Sequence, residues 1–207
     1  MRIPGRSPSP PRHRFSGEIT GIGSTSGVRV VIGYWPESPY GPFTDAMIER
    51  PDGHRLLIAP TERVADFVRR TYAFDEVRIE PISGTPREGV RSPSLSLRVT
   101  EGRRTPLGWL LRAVPHRLAT SPMWARAIDP VARIVMRGVR TAGTALEGRR
   151  EYYGATDLRA VAALSGSLDG VPLGELAPID PPCRFGFSST PRTPSVTTLV
   201  TTVVEEA

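Results

Sequence analysis

The chain has 207 residues, 39% hydrophobic and 23% charged, with 22 prolines and 20 glycines, a composition that describes one domain with a substantial core, many turns and a lean toward β structure. Its basic residues are all arginine, so an imine-forming lysine, a pyridoxal-phosphate anchor and a phosphate-loop lysine are excluded. Cys183 is the only cysteine, which rules out an internal disulfide, and His13, His54 and His116 lack metal-ligand spacing, so neither a metal nor a cofactor is expected.

The net charge of +6 is unevenly spread. Residues 1–14 carry four arginines and no acid, and residues 103–150 carry ten arginines against Asp129 and Glu147, while the remainder is net acidic. Residues 1–13, rich in Pro, Ser and Arg, are expected to form a disordered basic tail, with residues 14–207 as a single domain. No apolar run follows the first arginines and no window reaches the length of a membrane span, so a cytoplasmic protein is expected.

In chain order, Phe15 to Ile22 and Val28 to Trp35 read as paired strands, and Phe43 to Glu49 and His54 to Ile58 as a hairpin across Pro51-Asp52-Gly53. The period of two puts Asp45, Met47 and Glu49 on one face. If that face is solvated, the acids are only a polar surface; if it lines a cavity, repulsion and desolvation raise one pKa and make a proton donor. Thr61 caps a helix to about Arg70. Strands follow at Glu76 to Ile82 and Ser94 to Thr100.

Residues 103–147 read as a helical insertion. Thr105-Pro106, Ser121-Pro122 and Asp129-Pro130 each set a capping side chain before a proline suited to a first helical turn, which predicts three helices. In the third, Val131, Ile134, Val135, Val139, Ala142 and Leu146 form one stripe, with Arg133, Arg137 and Arg140 opposite. That stripe needs a partner: the core, a second copy of the chain, or an anionic membrane surface. Nucleic acid is disfavoured, because no DNA-reading motif or aromatic platform accompanies the arginines.

Beyond it, Arg150 to Asp157 gathers charges, phenols and a glycine turn. Leu158 to Leu168, Cys183 to Phe187 and Ser195 to Val204 read as strands. Ser188 and Ser189 lack a nucleophile elbow or nearby histidine, so a serine hydrolase is excluded. Many short strands and frequent turns suit an α+β fold, predominantly antiparallel β, in which a curved sheet, barrel or cone encloses a pocket.

Arg150-Glu151, then Tyr152-Tyr153, then Gly154 resembles the Arg-Glu motif of acetoacetate decarboxylase-like proteins, and Gly41-Pro42-Phe43-Thr44-Asp45 resembles their earlier Gly-x-Tyr-x-Glu segment. The resemblance implies a curved antiparallel sheet around a central ligand cavity. Asp157 and Leu158 stand where that family has lysines, so its Schiff-base decarboxylation does not carry over. The function expected is instead that of a binding protein for a small acidic or carbonyl-bearing molecule, with acid/base chemistry open to it. Glu151, Asp157 and Asp45 are the candidate acids or bases, and Arg150 the partner for a substrate carboxylate. Tyr152, Tyr153 and Glu49 complete the candidate binding set. Two structural readings stay open: Arg150 and Glu151 that pair with unrelated side chains as structural ion pairs, and tyrosines that serve strand packing. The competing function is an interaction protein that works through helices 105–147, by oligomerisation or membrane-surface docking.

Overall fold

A computed structural model describes residues 10–136 and 138–205. Its first half is a meander: β1 (Arg12–Ser24), β2 (Arg29–Glu37), β3 (Phe43–Glu49) and β4 (Arg55–Ala59), each antiparallel to the one before. Helix α1 (Glu62–Arg69), capped by the Thr61 hydroxyl, crosses over to β5 (Glu76–Ile79), which runs parallel to β4, as a parallel pair requires. After β6 (Val90–Arg91) and β7 (Leu95–Arg104) come α2 (Pro106–Ala113), α3 (His116–Ala119) and α4 (Pro122–Val135). The short β8 (Ala142–Thr144) leads into the 20-residue β9 (Arg149–Leu168), and β10 (Val171–Pro172), β11 (Leu176–Ala177) and β12 (Ser195–Glu205) complete the chain.

These strands make one sheet in the order β5-β4-β3-β2-β1-β12-β9-β7-β6. The sheet curls until its two ends share a core, in which Ile32, Ile48 and Leu56 of the meander meet Leu95 and Leu97 of β7 and Leu168 of β9. It does not close into the barrel that the strand pattern allows. The edge strands are only four and two residues long. The chain between them carries Pro81, Pro86 and the left-handed Gly84 and Gly89, and proline cannot donate to a ladder. The opposite face of the sheet holds a second core, where Phe15, Trp35, Leu57 and Val203 pack against Val64, Phe67 and Val68 of α1.

Five expectations change. Residues 1–9 of the expected tail lie outside the described residues, but Arg12 and His13 are strand, paired with Val204 and Val203; backbone pairing orders them although they bury little apolar surface. No helix starts at Asp129. Instead α4 runs through Pro130, because Asp129 turns back to accept the Thr141 and Ala142 backbone N–H groups and the Arg133 guanidinium. The helix stops at Val135, before the left-handed Gly138, so the stripe predicted to run on to Leu146 is helical only as far as Val135. Cys183 to Phe187 is loop, and Arg150 to Asp157 is continuous strand with no turn at Gly154.

Candidate functional site

The strand character of residues 149–157 decides which of its side chains meet. Alternation sends Arg149, Glu151, Tyr153 and Ala155 to one face and Arg150, Tyr152 and Gly154 to the other. Across β12, Ala155 pairs with Leu199 but Asp157 pairs with Thr198, so Thr156 is an extra residue, a β-bulge. The bulge resets the alternation. Leu158 takes the inward place that Asp157 would have had.

The inward face of β9, with Ile19, Val31, Met47, Thr197 and Leu199 from its neighbours, forms one wall of a cavity of about 360 Å³. Helices α2 and α4 form the opposite wall through Leu107, Leu111, Trp124 and Ile128. Both helices pack on β9, near the stretch between its pairings with β7 and β8. Thr105 bonds the Leu158 carbonyl through its backbone N–H and its hydroxyl. On the far face the α3 backbone presses so closely on Gly154 that a Cβ there would lie 2.6 Å from Thr120 Cα. The loop residues Cys183 and Phe185 close the remaining side. Burial pushes the Cys183 thiol up to about 12, so it is an inert part of the wall.

One polar cluster of the wall adjoins a second chamber, while Arg140, Thr141, Ser188, Ser189, Thr190 and Thr197 also line the cavity. Tyr153 and Tyr72 line the cavity, their hydroxyl oxygens 2.9 Å apart, and Tyr72 donates to Glu151 Oε1 at 2.6 Å. Behind them lies a smaller chamber of about 50 Å³, lined by Glu151, Asp45, Trp35, Thr201 and Tyr72 among others. Glu151 Oε2 and Thr201 Oγ1 are buried there and make no hydrogen bond to other described residues. Burial pushes the Glu151 carboxyl up to about 7, against the pull of the Tyr72 and Tyr153 hydroxyls and Arg149. Asp45 is likewise pushed up to about 7 by burial, opposed only by the Trp35 indole N–H at 3.0 Å. Both tyrosines are raised well above the usual phenol range by burial and by Glu151, so they stay protonated; Tyr72 donates to Glu151 and Tyr153 therefore donates to Tyr72.

No family model, curated protein or solved structure matches the chain. Its chemistry therefore rests on its own geometry.

Of the residues singled out from the sequence, Glu151, Asp45 and Tyr153 converge around the two chambers. The others do not. Arg150 is exposed on the opposite side of β9 from Glu151, so the two do not form a joint site. The buried guanidinium is that of Arg149, fixed by the Phe67 carbonyl, Thr71 and Glu205. Tyr152 lies on the outer face under Arg126.

Asp157 chelates Arg104 at 2.8 and 3.0 Å. Its burial, which would raise its pKa, is outweighed by Arg104 and the Leu158 N–H, and the carboxyl is held below the usual range. Glu49 is wholly buried but lines neither chamber; Arg29 at 3.2 Å and Arg184 at 3.0 Å neutralise it. Repulsion between Asp45 and Glu49 is therefore not what raises Asp45.

Sequence reasoning missed Tyr72, Trp35 and Arg149. Tyr72 lies just past a helix end and carries no pattern of its own. Arg149 and Glu151 had a signal in their i, i+2 spacing, visible once the segment is read as strand. Among the described residues no three His, Cys, Asp or Glu side chains cluster as metal ligands do, and no helix is long and apolar enough to cross a membrane.

Proposed function

We propose that this chain binds a small, largely apolar molecule bearing one carbonyl or carboxyl group. The observation that carries the proposal is the apolar cavity that holds the paired hydroxyls of Tyr72 and Tyr153 in its wall, with Glu151 behind them. Its volume lies in the range of small-molecule sites, and a mostly apolar wall with a few convergent polar groups is how such sites fix orientation. A carbonyl or a protonated acid takes the Tyr153 proton in place of Tyr72, and Arg140, which also lines the cavity, is a cation open to a carboxylate. Arg150, the carboxylate partner expected from the sequence, faces away from the cavity.

Acid/base chemistry belongs to the same proposal. A buried carboxyl that titrates near neutral pH and is hydrogen-bonded to phenols is suited to taking or giving a proton at the ligand's carbonyl end. In favour of the acetoacetate decarboxylase-like resemblance, the two acids supplied by its motifs, Asp45 and Glu151, line one chamber. Any reaction in this chain proceeds without an imine, since there is no lysine.

The test is a titration of the purified protein with a medium-chain alkanoic acid, the matching methyl ketone and the matching alkane, monitored by Trp124 fluorescence and thermal midpoint. Saturable binding of the acid or ketone is expected, with the alkane weaker. Tyr153→Phe should weaken it by roughly 1 kcal/mol, and Ala155→Phe, which fills the cavity, should abolish it. If none of the three compounds shifts either signal, the proposal is wrong.

A further inference from the structure

The solvent side of α4 is apolar. Met123, Val131, Ile134 and Val135 recur at helical spacing along it and are 73%, 59%, 83% and 63% exposed, and α2 adds Trp109 and Leu110 beside them, both more than 60% exposed. A helix packed on a sheet normally turns such a stripe inward. Here the inward side is already apolar: Ala125 and Ala132 are buried, and Trp124 and Ile128 face the cavity. The helix therefore carries apolar surface on two sides. Leu110, Val131 and Val135 belong to both the patch and the cavity wall, so the patch borders the cavity. Contiguous apolar surface of this kind marks a contact site.

Charge identifies the partner. Around the patch Arg103, Arg112, Arg117, Arg126 and Arg133 are exposed or half-buried, and among the described residues 103–146 no carboxylate is. The one acid of that segment, Asp129, is buried beneath Thr141 and Arg133. A second copy docking patch to patch would set arginine against arginine, which opposes association. Nucleic acid would neutralise the arginines but would bring nothing for Ile134 and Met123 to enter. An anionic bilayer answers both features, since arginines meet its headgroups while aliphatic side chains and Trp109 enter the interface.

We propose that α2 and α4 dock on anionic membrane surfaces, apolar stripe inward, so that the cavity borders the docked face. The docking does not depend on what the cavity binds.

The test is co-sedimentation of the full chain with vesicles of phosphatidylcholine alone and of phosphatidylcholine mixed with phosphatidylserine, with light scattering to read its mass in solution. Binding to the mixed vesicles only, weakening with salt, is expected. Arg112→Gln/Arg117→Gln should lower it roughly fivefold per arginine removed. Met123→Asp/Ile134→Asp, both at exposed positions, should remove it while leaving circular dichroism and ligand titration unchanged. Equal binding to both vesicle types, binding to neither by the folded monomer, or a dimer dispersed by Ile134→Asp would each overturn the proposal. Failure of ligand binding with vesicle binding intact would instead count against the cavity proposal alone.

Discussion

Glu151 is a carboxyl group held where water cannot solvate it, and its two oxygens fare differently: one accepts from Tyr72 and the other has no hydrogen-bond partner among the described residues. Folding moves its pKa from an ordinary 4.5 up to about 7, so between these values the folded chain holds a proton that the unfolded chain releases. Stability from this group must therefore fall as pH rises through that window and level off above it. The integrated loss is on the order of 3 kcal/mol. Glu151→Gln should flatten the profile and be the more stable form at pH 8, as read by urea midpoints from pH 4 to 9. Asp45→Asn should behave alike, since its shift has the same cause. Gly33 shows how tightly this chamber is built. A Cβ on it would lie 2.4 Å from both Asp45 Oδ1 and Trp35 Nε1. Gly33→Ala should thus cost roughly 1–3 kcal/mol by chemical denaturation, by separating that pair.

Helices α2 and α4 begin as their sequences foretell. Thr105 and Ser121 accept from the N–H groups of Gly108 and Trp124, each with proline at the next position. Ser121→Ala should cost about 1 kcal/mol of stability. Thr105→Ala should cost more, because its hydroxyl also holds the Leu158 carbonyl. Asp129-Pro130 has the same local chemistry and starts nothing, because its carboxylate is engaged by a strand approaching from twelve residues further on. A capping signal states what a side chain can accept, and tertiary contacts choose the donor. The bulge at Thr156 is a like case: nothing local in Ala155-Thr156-Asp157 announces it, yet it separates Asp157 from Glu151 and gives it to Arg104.

Across the whole molecule the sheet is anchored at its centre, where β1, β12 and β9 form long antiparallel ladders, while α2 to α4 pack on β9 with apolar surface left outward. Native-state hydrogen exchange should accordingly be slowest in β1 and β12 and markedly faster in α2 and α4, through sub-global opening of the helical layer. Slowing of exchange in those helices on addition of a cavity ligand would be the expected sign that they cover it.

Period-two alternation and turn chemistry made the antiparallel strands, the crossover helix and the helical insertion legible, because each depends on residues close in sequence. Alternation put Asp45 and Glu49 on one face of β3 but did not show that both faces of the strand are buried. The absence of lysine excluded imine chemistry in advance. The openness of the sheet, the exposure of the α4 stripe, the loss of Arg150, Tyr152 and Asp157 from the candidate site and the entry of Tyr72 depended on long-range geometry. Strand register, one inserted residue and the route of a loop set which distant side chains share a cavity, and no local pattern encodes those distances.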